Sequence, residues 1–235
     1  MIYTYKTCFF RLRMLLIGID DAGRGPVIGP MVLAGVLINE DLEEHLEEIG
    51  VKDSKLLTPE QRENLAVKIK EVCKRFSIHI TTPKEIDNAL ESDENNLNKL
   101  EASQMAKVLN ELNTSQDEIK VIIDCPSINI EKWQELFISL IQNKDNLEII
   151  CKHKADAEHP VVGAASILAK TTRDAEIEKL KDKVGIDFGS GYPADPKTKE
   201  FLKEHYKDFS DVDLFRLTWG TYKNVVKDGK QKKLF

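Results

Sequence analysis

Four aspartates stand at the ends of apolar segments, at three separate points of the sequence. Asp20 and Asp21 end the run LLIGIDD, Asp124 ends IKVIID, and Asp156 precedes a helix start at Pro160. The carboxyl ends of neighbouring parallel strands meet at one edge of an α/β sheet, so we expect these acids to converge. Carboxylates are hard oxygen ligands that suit Mg²⁺ or Mn²⁺. Two such ions about 4 Å apart can activate water and stabilise the leaving oxygen of a phosphodiester.

A glycine-rich segment follows the first two acids. Four glycines and two prolines lie from Gly18 to Pro30, and the backbone N–H groups of such a turn can bind phosphate oxygens. The segment GRGPVIG is neither GxGxxG nor a Walker loop, which disfavours a nucleoside triphosphate site. The four acids and the glycine turn together favour an enzyme that catalyses hydrolytic phosphoryl transfer. Simpler interpretations stay open at this point, because Asp124 could begin a turn and Asp156 could cap a helix.

The elements that must position these residues follow from hydrophobic periodicity. Apolar runs at residues 15–19 and 31–38, joined by the glycine turn, predict an antiparallel hairpin. Thr58, Pro59 and Gln61 form a capping box that begins a helix. Further strands are expected at residues 76–81, 119–124 and 147–151, and further helices at 83–90, 97–112, 133–141, from 160, from 196 and at 215–226. Strands that alternate with helices predict an α/β fold with a mixed sheet.

Composition narrows the class of protein. A chain of 235 residues, 41% hydrophobic with net charge −6, is typical of one soluble domain or of one with a small appendage. No run approaches the ~18 apolar residues of a membrane span, so no membrane partner is expected. Four cysteines without CxxC spacing predict reduced thiols in the cytoplasm rather than a zinc site. The acidic balance argues against nucleic-acid binding by bulk charge, but it leaves room for a local basic groove.

Six blocks of sequence point to a known family. GIDDAGRGPVIGP at residues 18–30 resembles the opening motif of ribonuclease HII. The resemblance continues, in family order, through DSKLL at 53–57, IID at 122–124, KADAEHPVVGAASILAKTTRD at 154–174, SGYPAD at 190–195 and FRLTWGTYKNV at 215–225. The last block is similar to archaeal and eukaryotic-type members. The resemblance implies an RNase H-like fold, a mixed five-stranded sheet flanked by helices with a helical C-terminal appendage. We expect an N-terminal extension at 1–13, the catalytic domain at 14–195 and the helical region at 196–235.

The resemblance also implies an activity and a site. Such an enzyme cuts the RNA strand of RNA/DNA hybrids and acts at ribonucleotides embedded in duplex DNA, and it leaves a 3′-hydroxyl and a 5′-phosphate. The catalytic acids that bind two divalent ions, Mg²⁺ or Mn²⁺, carry over to Asp20, Asp21, Asp124 and Asp156. Backbone groups of Gly23, Arg24 and Gly25 recognise the ribose 2′-hydroxyl, and Tyr192 packs on the following sugar. Phosphate contacts, which position a duplex without reading bases, carry over to Ser54, Lys55 and Ser166.

Asp21 departs from the family pattern, in which the second acid is usually glutamate. Aspartate keeps the charge but is one methylene shorter, and adjacent strand residues point to opposite faces. The chain must therefore bend at Asp21 if both acids are to meet one site, and we expect that Asp21 still serves. Two alternatives remain: a non-catalytic protein that binds RNA/DNA hybrids, and a DNA-acting nuclease of the same fold. We expect a monomer, with a sliding clamp as candidate partner of the basic tail that contains Lys223, Lys227, Lys230, Lys232 and Lys233.

Overall fold

A computed structural model describes residues 14–51, 57–92, 95–209 and 211–231 of the chain. Several predicted features lie outside the described residues. These are the N-terminal extension at 1–13, the phosphate contacts Ser54 and Lys55, and the end of the basic tail from Lys232. In the described part of the chain, no helix is long and apolar enough to cross a membrane.

The centre of the fold is a mixed five-stranded sheet with the strand order β3-β2-β1-β4-β5. Its strands are β1 (Leu15–Ala22), β2 (Met31–Asn39), β3 (Arg75–Thr81), β4 (Ile119–Asp124) and β5 (Leu147–Lys152). β1 pairs antiparallel with β2, which confirms the predicted hairpin, and β2 pairs antiparallel with β3. β4 pairs parallel with both β1 and β5. The carboxyl ends of β1 and β4, where the predicted acids stand, therefore lie side by side.

Helices cover both faces of this sheet. They are α1 (Glu43–Glu48) after a 3₁₀ turn (Glu40–Leu42), α2 (Pro59–Val72), α3 (Pro83–Leu90), α4 (Leu97–Leu112), α5 (Ile130–Ser139), α6 (Ala155–Glu158), α7 (Pro160–Val184), α8 (Pro196–His205) and α9 (Gly220–Gln231). The capping box predicted at Thr58 is confirmed, because its hydroxyl accepts from the Gln61 N–H while the Gln61 side chain accepts from the Thr58 N–H. Thr82 begins α3 in the same way.

The final helix begins later than the sequence predicts. The pattern at residues 215–226 predicts one continuous helix, but α9 begins only at Gly220. Phe215 instead forms an isolated β-bridge with Ile28 of the glycine segment, and the backbone N–H of Arg216 donates to the Val27 carbonyl at 2.9 Å. Residues 215–219 are therefore held by long-range contacts that an amphipathic pattern does not reveal.

Alternation along β1 divides its side chains between two cores. Ile17 and Ile19 pack with residues of α4 on one face, whereas Leu16 and Ala22 pack with residues of α7 on the other. Side chains an even number of residues apart on a strand point to the same face. Asp20 therefore points to the α7 face with Leu16, and Asp21 points to the α4 face with Ile19. The pleat thus separates the two adjacent acids.

Helix α7 lies close to β1, and its first turns contain the small residues Gly163, Ala164, Ala165, Ser166 and Ala169. A Cβ atom added to Gly18 would lie 2.3 Å from the Val161 carbonyl oxygen, which leaves no room for any side chain there. Because backbone meets backbone at this point, α7 presents its next turns directly to the end of β1. The fit of Gly18 against α7 therefore determines what surrounds Asp20.

Candidate functional site

Three of the four predicted acids converge, as the strand order requires. Asp20, Asp124 and Asp156 each offer one carboxylate oxygen, and these oxygens lie within 4.8 Å of one another. Asp20 and Asp156 are buried, at 4% exposure each, and Asp124 is half-buried. Asp20 lies two residues before the end of β1, Asp124 ends β4, and Asp156 lies on α6 just before α7. Asp20 and Asp124 share the α7 face because each has the parity of a residue packed there, Leu16 and Ile122.

Backbone N–H groups orient two of these carboxylates. The N–H of Asp21 donates to Asp20 Oδ1 at 2.7 Å, and the N–H of Ala155 donates to Asp124 Oδ1 at 3.1 Å. The second contact depends on Lys154, whose φ of 58° places it in the left-handed region that non-glycine residues rarely adopt. Such backbone strain is often found at functional sites, and here it turns the chain so that α6 begins beside Asp124.

The three-acid group is electrostatically unfavourable without a cation. Burial raises the pKa of Asp20 well above its usual value, as do the charges of Asp21 and Asp124, while a hydrogen bond from Ser166 and the charge of Lys170 act in the opposite direction. Buried carboxylates that crowd one another favour the neutral form unless a cation balances them. Three oxygen donors in this arrangement fit a divalent metal ion of the Mg²⁺ or Mn²⁺ type.

Asp21 lies in the same cleft but outside the three-acid group. β1 continues in regular register past it, with Asp21 opposite Leu33 and Ala22 opposite Val32, so the bend that would turn Asp21 toward the group is absent. Burial raises the pKa of the Asp21 carboxyl to about 6; the charge of Arg24 opposes this shift and that of Asp124 adds to it. The side chain keeps some exposed surface even though protein atoms surround it.

The acids border an open cleft of about 530 Å³ that also contains cations. Its lining includes Arg24, Arg62, Lys170 and Arg173, together with the glycine turn and Tyr192. Lys170 and Arg173 were not predicted from the sequence. Both follow Ser166 on α7 by four and seven residues, and this helical spacing, which places them on the same face as Ser166, could have indicated them. Arg62 had no such signal, because its ion pair with Asp174 at 3.0 Å joins α2 to α7. A polyanion can therefore lie across the cleft despite the acidic net charge.

Ser166 lies beneath the acids. It is fully buried, its hydroxyl hydrogen bonds to Asp20, and the Nζ of Lys170 donates to its Oγ at 2.7 Å. Its observed contacts thus join α7 to the carboxylate at the end of β1. The phosphate contact expected of Ser166 stays a prediction.

In the glycine turn, Gly23 packs against Arg173 and the side chain of Arg24 binds helix α4. Gly23 has φ of 85°, and a Cβ there would lie 2.6 Å from Arg173 Cδ, so only glycine fits. The Arg24 guanidinium forms an ion pair with the fully buried Glu101 and donates to Asn98 Oδ1 at 2.8 Å, both on α4. The Arg24 side chain is thus held by α4, and residues 23–25 of the turn line the cleft. Neither Glu101 nor Asn98 carried a signal in the sequence.

Tyr192 lies beside the same turn. The Arg173 guanidinium is 5.0 Å from the centre of its ring, and Arg173 Nη2 donates to the Ser190 carbonyl at 3.0 Å. A Cβ on Gly25 would lie 3.6 Å from Tyr192 Cε1. The ring is 41% exposed. The structure therefore places the predicted tyrosine next to the predicted turn, with one face of the ring supported by a cation.

Comparisons with known proteins find similar sequences and similar structures. A sequence profile described as Ribonuclease HII matches residues 17–222. Ribonuclease HII of Methanococcus maripaludis strain C6 is 44% identical over 222 residues, which cover 94% of this chain and 91% of that protein. The crystal structure of ribonuclease H2 from Pyrococcus horikoshii OT3 aligns with a TM-score of 0.81 at 42% identity, over 92% of this chain and 99% of that chain. The PCNA:RNase HII complex from Archaeoglobus fulgidus aligns with a TM-score of 0.70 at 39% identity, over 80% of this chain and 85% of that chain.

Proposed function

This chain belongs to the ribonuclease HII family, and from that premise we propose how it hydrolyses the RNA strand of RNA/DNA hybrids and cuts at ribonucleotides embedded in duplex DNA. The observation that carries the proposal is the convergence of Asp20, Asp124 and Asp156 in one cleft with the Gly23–Gly25 turn. The acids and the turn that would recognise the sugar thus line one cleft. This arrangement, with all four acidic positions filled, argues against a protein that only binds hybrids.

Asp20, Asp124 and Asp156 would hold the divalent metal, Mg²⁺ or Mn²⁺, as a two-ion site to which Asp21 contributes from the cleft wall. Such ions, when bound, lower the pKa of water and neutralise charge that develops on a phosphate. The residues of the chain itself keep these carboxylates ionised and correctly oriented. The N–H groups of Asp21 and Ala155 fix two carboxylates, and the charge of Lys170 eases the repulsion at Asp20.

Selection of the ribonucleotide would fall to the glycine turn and Tyr192. RNA differs from DNA at a given sugar by the 2′-hydroxyl, which can both donate and accept a hydrogen bond. Backbone N–H groups of the turn formed by Gly23, Arg24 and Gly25 can donate to the 2′-oxygen, and the supported ring of Tyr192 can pack on the neighbouring sugar. Arg62 and Lys170, with the predicted contacts of Ser54 and Lys55, would bind phosphates and so position any base sequence equally. The buried Ser166 would take part through Lys170, which donates to its hydroxyl.

The remaining assignments concern partners and location. We propose a monomer that contacts a sliding clamp through its basic C-terminal tail, which is supported by the PCNA complex of the Archaeoglobus fulgidus relative. A cytoplasmic location fits the free thiols of Cys73, Cys125 and Cys151, because the cytoplasm keeps thiols reduced.

A comparison of three duplexes tests the proposed function. The duplexes are an RNA/DNA hybrid, a DNA duplex with one ribonucleotide, and an all-DNA duplex, each with Mg²⁺ or Mn²⁺ and again with EDTA. We expect the first two to be cut only with metal and the third to stay intact. Cutting of the all-DNA duplex would instead identify a DNA nuclease, and binding without cutting would identify a hybrid-binding protein.

The substitution Asp21→Glu tests the role of the fourth acid. Glutamate, the usual residue of the family at this position, has a reach longer by one methylene, so we expect the half-saturating metal concentration for cleavage to fall by about tenfold. The measurement is a Mg²⁺ and Mn²⁺ titration of the initial rate. Asp174→Glu is the matched control, because it adds the same methylene in the same cleft to an acid that pairs with Arg62. An unchanged half-saturating concentration in Asp21→Glu would show that Asp21 takes no part in metal binding, and a higher one would show that the longer side chain does not improve it.

A further inference from the structure

A buried arginine from the C-terminal region binds three carbonyl groups of the glycine segment. Arg216 is fully buried, and its Nη2 donates to the Gly23 carbonyl at 2.6 Å, its Nη1 to Arg24 at 3.0 Å and its Nε to Gly29 at 3.0 Å. A guanidinium is suited to this task, because its donors are fixed in one plane. Burying such a charge is unfavourable unless its hydrogen bonds are satisfied. These contacts therefore fix the turn and the arginine together.

The carbonyl contacts determine where the N–H groups of the turn point. A peptide unit is planar and trans, so its C=O and N–H point in opposite directions. The Gly23 carbonyl shares its peptide unit with the Arg24 N–H, and the Arg24 carbonyl shares its unit with the Gly25 N–H. Arg216 draws both carbonyls inward, and residues 23–25 line the cleft on their other side. The N–H groups of Arg24 and Gly25 are therefore turned toward the cleft.

Contacts of two further residues, Trp219 and Asp87, hold this arginine and the turn in place. Trp219 Nε1 donates to the Gly25 carbonyl at 3.2 Å, and the Arg216 guanidinium lies 4.7 Å from the centre of the Trp219 ring. Asp87 of α3, itself buried, accepts from the backbone N–H groups of Leu217 at 2.7 Å and Thr218 at 2.9 Å. The segment that carries Arg216 is thus attached to α3, so the turn is held against a rigid support.

We propose that Arg216 is a positioning residue for ribose specificity, with Trp219 in support: by binding the carbonyls of the glycine turn it aims the turn's N–H groups at the sugar 2′-oxygen. The inference rests on the proposed function, since it assigns the reading of the 2′-hydroxyl to that turn. Residues 215–219 would thus shape the substrate site without contacting the nucleic acid. Loss of this support should reduce the distinction between ribose and deoxyribose more than it reduces binding to DNA.

The test measures that distinction directly by binding. In an Asp124→Asn background, dissociation constants are measured with Mg²⁺ for two duplexes that differ only in one ribose or deoxyribose. Arg216→Lys keeps the charge, but one ammonium cannot bind three spread carbonyls. We expect the preference for the ribonucleotide duplex to fall by about tenfold, as for the loss of two aligned hydrogen bonds, while all-DNA binding changes by less than about threefold.

Two other variants make the outcome unambiguous. Trp219→Phe keeps a ring but loses the donor to Gly25, and we expect a preference reduced by about threefold. Tyr222→Phe is the control, because it loses one hydrogen bond to a carbonyl, that of Tyr206 at 2.8 Å, and should leave the preference unchanged. Equal weakening for both duplexes, or an unchanged preference in Arg216→Lys and Trp219→Phe, would overturn the inference. If circular dichroism shows that Arg216→Lys does not fold, the result for Trp219→Phe decides the test. No preference in the protein that retains Arg216 would instead overturn the proposed function.

Discussion

Asp124→Asn is expected to lower the rate of cleavage by about 10³-fold or more, while the protein stays folded. The amide removes one anionic ligand from a group of three, and the two remaining acids cannot hold a metal in the same way. The contact to α6 should survive, because the Asn Oδ1 atom can still accept from the Ala155 N–H. Single-turnover cleavage of a duplex with one ribonucleotide measures the loss.

The stability of the same variant provides an independent check. The charge of Asp124 raises the pKa of Asp20, so its removal relieves repulsion in the folded state. We expect the melting temperature to stay the same or to rise by a few degrees. Asp145→Asn is the matched control: it makes the same change at an exposed position at the opposite edge of the sheet, and both properties should be unchanged. Activity that persists in Asp124→Asn would contradict the assignment of the metal ligands.

Gly18→Ala should have the largest effect on folding. The new methyl group would lie 2.3 Å from the Val161 carbonyl oxygen and 2.5 Å from the Val162 nitrogen, and backbone atoms cannot move aside as a flexible side chain can. We expect the free energy of unfolding to fall by about 3 kcal/mol or more, measured by urea denaturation. Because α7 must move away from β1, Ser166 and Lys170 would also leave Asp20, so residual folded protein should be poorly active.

A second glycine supplies the control for this prediction. A Cβ on Gly220, at the start of α9, meets no atom within 4 Å, and its φ lies outside the left-handed region. Gly220→Ala should therefore change stability by less than about 0.5 kcal/mol. If Gly18→Ala were equally harmless, the close approach of α7 to β1 could not be what places α7 beside the acids.

The convergence of the acids was predictable, because it follows from strand ends and from alternation. Asp20 and Asp124 lie near the carboxyl ends of neighbouring parallel strands and on the same face of the sheet, so the pairing of β1 with β4 brings them together. The exclusion of Asp21 follows from the same alternation, once β1 is known to stay regular to Ala22. The sequence pattern therefore predicts most of the residues of the candidate metal site.

The support around the glycine turn was not predictable from the sequence. The partners of Arg24 on α4 and the contacts of Arg216 join residues about 75 and 190 positions apart, and no local periodicity records such pairs. The same contacts explain the one element that was placed wrongly. Residues 215–219 have a helical pattern, but the carbonyls of the turn and the bridge to Ile28 hold them in another conformation.

The chemical ends of the product test the central claim most directly. The claim is that the acids hold metal ions for attack by water, while the turn only recognises the 2′-hydroxyl. Mass spectrometry of the fragments from a duplex with one ribonucleotide should therefore find a 3′-hydroxyl and a 5′-phosphate, and EDTA should prevent their formation. A 2′,3′-cyclic phosphate with a 5′-hydroxyl, formed equally well in EDTA, would show that the 2′-hydroxyl is the nucleophile and would contradict the account.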